Sequence, residues 1–177
     1  DSNMGYVNSP NSFLAKFNSP FGICVDDTGN VYVADTYNNV IRKIWASNGH
    51  VTTYAGRDSS GATFRGYVNG PDTAAEFYLP LSLAMDAAGN MYVTDNGNNA
   101  IREISAATHM VTTIAGKGPD TAGYMNGPVN IAQFYSLYGI TVAHSGAIFT
   151  TQFDNGANAV RRLYNDTVTT FAGYNTV

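Results

Sequence analysis

Short runs of β-forming residues, separated by turn residues, follow one another along the whole chain. In the first third, residues 21–25 are apolar, residues 26–30 carry turn chemistry, and residues 31–34 resume with β-branched and aromatic side chains. Two further runs follow at 51–54 and at 40–45, where Ile41, Lys43 and Trp45 alternate against Val40, Arg42 and Ile44. The pattern therefore predicts an all-β chain whose first unit is made of four short antiparallel strands joined by tight turns.

The same arrangement occurs three times. A Gly-Tyr-x-Asn segment begins at Gly5, Gly66 and Gly123, and a Val-Thr-Thr-x-Ala-Gly segment ends each copy. A fixed period of this kind indicates a repeat architecture, in which each unit buries its apolar face against its neighbour. We therefore expect one repeat domain with three units, at about 5–56, 66–116 and 123–173.

A four-stranded meander cannot bury both of its faces by itself. The three units are therefore expected to stack face to face as the blades of a β-propeller. Propellers typically have about four to eight blades, so three would form half of a six-bladed ring. We expect that the chain does not exist as an isolated monomer. A second copy would complete six blades, or a polymer or further repeats of a longer chain would cover the open faces.

One stretch of the first copy closely resembles the NHL repeat: Pro20-Phe21-Gly22-Ile23-x-Val25-Asp26-x-x-Gly29-Asn30-Val31-Tyr32-Val33-Ala34-Asp35-x-x-Asn38-x-x-Ile41-Arg42. The second copy keeps most of these positions. The third departs from them, with Leu137 in place of the proline and Ala143 in place of the turn aspartate. The resemblance implies β-propellers, commonly six-bladed, that mostly act as binding platforms for proteins or RNA. Related propellers are lyases or lactonases with a central metal.

Composition excludes several classes of function. The formal charge is -4 and the nine basic residues are scattered, so we expect no nucleic-acid partner. No apolar run is long enough to span a bilayer, so no membrane insertion is expected. Cys24, the single cysteine, excludes an intrachain disulfide and is predicted to be a small buried residue. The weakly charged surface, rich in Asn and Thr, favours an extracellular or secreted location. There Asn165, in Asn165-Asp166-Thr167, would be a glycosylation acceptor.

Aspartate and arginine recur seven residues apart in each copy, as Asp35/Arg42, Asp95/Arg102 and Asp154/Arg161. We predict that each pair holds a hairpin, with the carboxylate also capping turn amides, because residues present in every copy build the unit. Counted from the third hairpin, Gln152 stands where Asp35 and Asp95 stood, so Asp154 matches only if a bulge intervenes. A catalytic carboxylate is the alternative interpretation.

The histidines do not align between copies and show no zinc-ligand spacing, so neither a metal nor a cofactor is predicted. The alternative of a metal held in a central channel by ligands from several blades stays open. The loop tips differ between copies and are therefore candidates for recognition; they contain Tyr37, Asn38, Asn96, Asn98 and Asn155.

The Gly-Tyr-x-Asn segments are interpreted first as scaffold. Displayed on one rim, Tyr67 and Tyr124 would instead contact a sugar or a protein. The sequence thus predicts a non-enzymatic recognition or assembly module that binds protein or glycan partners through rim loops and associates with itself. The alternative is a metal-dependent hydrolase or lyase propeller with a central-channel site.

Overall fold

The computed structural model describes residues 4–59, 62–153 and 157–175. The first sheet contains four antiparallel strands in the order β1-β2-β3-β4: β1 (Pro20–Val25), β2 (Val31–Asp35), β3 (Val40–Ile44) and β4 (Val51–Ala55). A tight turn joins β1 to β2, and Gly29 takes a φ of +83° there, a conformation that favours glycine. A single-turn 3-10 segment, Thr36–Asn38, joins β2 to β3.

The second sheet has five antiparallel strands in the order β7-β11-β10-β9-β8. These are β7 (Gly70–Pro71), β8 (Pro80–Met85), β9 (Met91–Asp95), β10 (Ala100–Ile104) and β11 (Met110–Ala115). Two short strands, β5 (Asp58–Ser59) and β6 (Ala62–Thr63), pair with each other in the connection that precedes it.

The third sheet repeats this order as β12-β16-β15-β14-β13, with β12 (Gly127–Pro128), β13 (Leu137–Val142), β14 (Ile148–Phe153), β15 (Ala157–Tyr164) and β16 (Thr167–Asn175). The prediction of an all-β chain of antiparallel sheets is confirmed. The number of strands differs from four in the second and third sheets, because the connection between units adds the two-residue edge strands β7 and β12.

The pairing register of the strands identifies equivalent positions in the three sheets. The first residues of β1, β8 and β13 pair with equivalent residues of the next strand: Pro20 with Asp35, Pro80 with Asp95, and Leu137 with Gln152, which in β14 is followed by one more residue, Phe153. Gln152 is therefore the counterpart of the two aspartates.

Neighbouring sheets bury their faces against each other. Between the first and second sheets, Tyr32 and Ile41 pack with Leu83, Met91 and Phe77. Between the second and third, Ile101 packs with residues such as Phe134 and Ile148. Full burial of one such side chain stabilises the fold by about 1.5–3 kcal/mol.

Cys24 is half-buried and packs against the first of these clusters, and burial raises the pKa of its thiol to about 11. A search of the described residues finds no helix with the length and apolar character needed to cross a membrane.

Candidate functional site

Two buried ion pairs occupy equivalent places in the first and second sheets. Arg42 Nη1 lies 2.8 Å from Asp35 Oδ2, and Arg102 Nη1 lies 2.8 Å from Asp95 Oδ2, with all four side chains fully buried. Asp35 also accepts hydrogen bonds from the Asn18 backbone N–H and from Asn38 Nδ2; Asp95 accepts from Tyr78 N–H and Asn98 Nδ2 in the same way. The carboxylates are thus fully occupied in joining the hairpin to the preceding loop.

The other arm of each guanidinium holds the Gly-Tyr-x-Asn segment. Arg42 Nη2 donates to Val7 O at 2.9 Å and to Asn8 Oδ1 at 2.8 Å. The guanidinium carbon also lies 4.7 Å from the Tyr6 ring centroid and 4.9 Å from that of Phe17. Arg102 makes the corresponding contacts with Val68, Asn69, Tyr67 and Phe77. These contacts support the scaffold interpretation of the segments.

The third sheet has no aspartate at this place. Arg161 Nη1 donates to Gln152 Oε1 at 2.8 Å, and Nη2 donates to Asn126 Oδ1 at 2.9 Å. Asp154, the predicted partner of Arg161, lies outside the described residues. Burial lowers the pKa of Arg161 to about 10. Gln152 Nε2 is buried and donates to no acceptor in the described part of the chain.

The structure corrects the exposed position expected for Asn38 and Asn98. Both are buried, because each donates Nδ2 to the neighbouring aspartate and to a backbone carbonyl, that of Gly5 for Asn38 and that of Gly66 for Asn98. A 3-10 turn directs these side chains inward, so they support the loop from inside.

The other loop-tip candidates lie in different settings. Tyr37 is 61% exposed; its backbone N–H donates to Asn18 O at 3.1 Å, and its carbonyl accepts from Asn39 Nδ2 at 3.4 Å. Asn96 is half-buried and donates to Leu137 O of the third sheet at 2.7 Å. Asn155 lies outside the described residues.

The remaining candidates are spread over the surface. Tyr67 is exposed at its edge while its ring lies over Arg102. Tyr124 is half-buried, 6.2 Å from the Tyr135 ring. Asn165 is exposed in the turn between β15 and β16, at the end of the sheet opposite to the Tyr37 loop.

A tyrosine occupies the β2–β3 loop of the first unit and the equivalent place in the second, although from different sequence positions, and sequence reasoning missed this. In the second unit Gly97 replaces Tyr37, and the Tyr78 ring fills that place, since a Cβ on Gly97 would lie 2.4 Å from it. In the third unit Tyr135 stands at the position of Tyr78 and is exposed. The sequence did contain a signal for this: Asn18 and Tyr37 of the first copy are replaced by Tyr78 and Gly97 in the second.

At the opposite end, the β1–β2 and β8–β9 turns enclose a cleft of about 290 Å³, lined among others by Asp26, Asp27 and Asp86. Partial burial acts to raise the pKa of Asp86, but hydrogen bonds from Asn90, Tyr92 and two backbone N–H groups outweigh it and hold that pKa below its usual value. Asp26 is bonded in the same way. Within the described ranges, no three His, Cys, Asp or Glu side chains are grouped to hold a metal ion.

Comparison with known proteins shows similarity to NHL-repeat proteins. The model of the NHL repeat matches residues 17–44. The chain is 27% identical over 140 residues, 76% of its length, to human NHL repeat-containing protein 2, and 31% identical over 85 residues, 48% of its length, to the chloroplastic protein SUPPRESSOR OF QUENCHING 1 of Arabidopsis thaliana. It spans only 19% of the first relative and 8% of the second.

Solved structures show the fold alone, since their identities to this chain are low. A virginiamycin B lyase from Staphylococcus aureus aligns over 98% of the chain and 44% of the lyase, with a TM-score of 0.57 and 20% identity. A gluconolactonase from Xanthomonas campestris aligns over 89% of the chain and 48% of the enzyme, with a TM-score of 0.60 and 16% identity. An auxiliary nutrient binding protein from Bacteroides ovatus aligns over 77% and 35%, with a TM-score of 0.62 and 21% identity. Enzymes and binding proteins thus share this propeller-like architecture.

Proposed function

We propose that this chain, which is similar to NHL-repeat proteins, is a non-enzymatic recognition or assembly module whose rim loops bind a protein or glycan partner. One observation carries the proposal. The recurring Asp–Arg pairs, Asp35 with Arg42 and Asp95 with Arg102, are fully buried and bonded within the scaffold, and the recurring turn aspartates Asp26 and Asp86 are held by hydrogen bonds within their own turns. A repeated catalytic carboxylate would instead have to face a substrate.

The exposed side chains near the β2–β3 loop are suited to recognition. Tyr37 offers most of its ring to solvent on a backbone that is fixed by Asn18, so little conformational entropy is lost when a partner binds. Tyr78 stands at the corresponding loop of the second unit, and Tyr135 has the equivalent sequence position in the third. Tyrosine combines an apolar ring with a hydroxyl, which suits both sugar stacking and hydrogen bonding to proteins.

The test compares two exposed tyrosines at opposite ends of the sheets. Tyr37→Ala should change the free energy of unfolding by no more than about 0.5 kcal/mol, as for an exposed side chain. It should weaken binding to any sugar found on a glycan array at least about fivefold, measured by calorimetry, or to any purified protein partner. Tyr164→Ala, at the opposite end of the third sheet from its β14–β15 connection, is the matched control and should leave binding unchanged. Equal losses in both variants would contradict a rim site.

The rival is a hydrolase or lyase propeller with a metal in a central channel. Elemental analysis of the purified chain separates the two, because a stoichiometric zinc or calcium ion together with lactone hydrolysis or lyase turnover would favour the enzyme. We also propose an extracellular location, for which the exposed Asn165 gives a marker. Secretion from a eukaryotic host should add one glycan, which Asn165→Gln removes.

A further inference from the structure

The two junctions between sheets are built from the same positions, which lets each sheet be divided into two faces. We call the face that a sheet turns toward the next sheet along the chain its front face, and the opposite one its back face. At the first junction, Tyr32 and Ile41 of the first sheet's front face meet Leu83 and Met91 of the second sheet's back face. The second junction repeats this arrangement with equivalent residues.

The back face of the first sheet is open, although its residues are of the kind buried elsewhere. Ile23 is 64% exposed, whereas Leu83, at the same position of the second sheet, is 5% exposed. Val25 and the neighbouring Phe21 are also exposed. This apolar surface is therefore a blade face without its neighbour.

The front face of the third sheet is open in the same way. Phe149 and Phe171 meet edge to face with their ring centroids 4.9 Å apart, as Tyr32 and Tyr54 do at 4.8 Å inside the first junction. Phe171 is 57% exposed, and a shallow depression lined by Phe149, Val160 and neighbouring residues lies beside it. The aromatic pair of the first internal junction is thus repeated on a face that no other sheet of the described residues covers.

Hydrogen bonds fix the register of the internal junctions. Thr36 Oγ1 donates to Pro80 O at 2.7 Å, and Asn39 Oδ1 accepts from Leu79 N–H at 3.0 Å. At the second junction Asn96 and Asn99 make the same two contacts with Leu137 and Ser136. Each junction therefore needs one donor and one acceptor side chain from the front face, and one carbonyl and one N–H from the back face.

The open back face keeps both of its linking groups, and the open front face keeps the acceptor but not the donor. Ser19 holds the left-handed conformation of its counterpart Leu79, with φ of 51° against 52°, so its N–H and the carbonyl of Pro20 are set as at the internal junctions. On the third sheet, Asn158 stands at the register position of Asn39 and is exposed. Phe153 stands at the register position of the donor Thr36, so an apolar side chain replaces the hydroxyl there.

A glycine on the open front face also indicates a close neighbour. In the first sheet, a Cβ on Gly22 would lie 2.4 Å from Leu81 O of the second sheet, so the approach of that sheet requires glycine. Gly139 is its counterpart in the third sheet, yet within this chain an added Cβ would meet only Thr151 Oγ1, at 3.2 Å. Its small size leaves room for a sheet that approaches as the second approaches the first.

We infer that the front face of the third sheet docks on the back face of the first sheet of a second copy, and that two such junctions close a twofold ring of six sheets. The inference rests on the proposed assembly role and gives it specific surfaces. A second copy is the occupant that supplies both missing faces at once, each with the residue pattern of an established junction. The junction is heterologous, while the ring as a whole is symmetric.

Two variants test the surfaces separately. Ile23→Asp places a charge on the back face and Phe171→Asp on the front face, and both should fold because these side chains are exposed in the single chain. Light scattering at micromolar concentration should give twice 18.9 kDa for the wild type and a single-chain mass for each variant. A buried unpaired charge should raise the dissociation constant at least about 100-fold. Val68→Asp, an exposed apolar residue of the middle unit, is the matched control and should remain dimeric.

Mixing the two variants gives the sharper readout. Each keeps the face that the other has lost, so an equimolar mixture should recover a dimer with one intact junction, detected by native mass spectrometry. Asn158→Ala should weaken the wild-type dimer and Asn158→Asp, which keeps the acceptor oxygen, should not.

Three outcomes overturn the inference. A folded wild-type monomer at tens of micromolar would assign the open faces to further repeats of a longer chain. A mixture that stays monomeric would exclude front-to-back docking, and an open-ended series of masses would exclude closure. These results are distinguishable from a failure of the recognition role, because the mass of the particle does not depend on Tyr37 or on bound metal.

Discussion

Removal of the Asp95 carboxylate is the most direct test of how the units are held together. Its oxygens accept from Arg102 Nη1, Asn98 Nδ2 and the Tyr78 backbone N–H, each at 2.8 Å. Asp95→Ala leaves all three donors without this acceptor, and the Arg102 guanidinium, which is fully buried, loses its counter-charge. The substitution should therefore lower the free energy of unfolding rather than affect a binding surface.

The magnitude follows from burial. Removal of one partner from a buried ion pair costs about 3–5 kcal/mol, because the other charge stays in the interior without compensation. The same pair at the surface would be worth at most about 1 kcal/mol. We expect a loss of about 4 kcal/mol, a large part of the 5–15 kcal/mol that is typical of a whole domain.

Urea unfolding at pH 7.5 is the appropriate assay, with circular dichroism as the signal. Burial raises the pKa of Asp95 to about 6 against the opposing effect of Arg102, so the carboxylate is ionised at this pH. The Arg57–Glu76 pair supplies the control, because its Arg57 side chain is 52% exposed and Arg57→Gln removes an ion pair of similar length, 2.9 Å, at a cost below about 1 kcal/mol. Equal losses for Asp95→Ala and Arg57→Gln would refute the reasoning.

Two further predictions concern the stability of the third unit and the stability of the protein at low pH. Gln152→Asp should raise the free energy of unfolding by about 1–3 kcal/mol, because it restores a carboxylate to the buried Arg161; an unchanged or lower urea midpoint would count against this. The pKa of Asp86 is lowered in the folded state, so its contribution to stability is present above about pH 4 and is lost as the pH falls through the folded value. Asp86→Asn should therefore lose less stability than the wild type between pH 5 and 2, and parallel pH profiles would disprove it.

The strands could be predicted because the signals that form them are local. Turn residues such as Gly29 and β-branched runs define the hairpins in all three copies, and the repeat multiplies that evidence. The edge strands Gly70–Pro71 and Gly127–Pro128 could not be predicted, since a two-residue Gly-Pro run has no strand signal of its own. They exist because an arginine of the same sheet holds the preceding segment against the outer strand.

The buried positions of Asn38 and Asn98 can be predicted from the sequence, because the two asparagines recur between copies as the Asp–Arg pairs do. Asn38 and Asn98 each follow their aspartate by three residues, and residues present in more than one copy build the unit. Tyr37 shows the opposite pattern, because the equivalent position of the second copy is a glycine, Gly97. The tyrosine at the second loop comes from Tyr78 instead, and only the three-dimensional structure brings these two loop positions together.

Hydrogen bonds through Asn18 connect the buried Asp35 to the exposed Tyr37 loop. Asp35 accepts from the Asn18 N–H at 2.7 Å, and the Asn18 carbonyl accepts from the Tyr37 N–H at 3.1 Å. The buried carboxylate therefore fixes the backbone that carries the exposed ring, two hydrogen bonds away. A change at Asp35 would disturb both the stability of the first unit and the position of Tyr37, whereas a change at the Tyr37 ring would affect recognition alone. This separation lets rim side chains vary from unit to unit while the buried bonds that position them are repeated in the first two units.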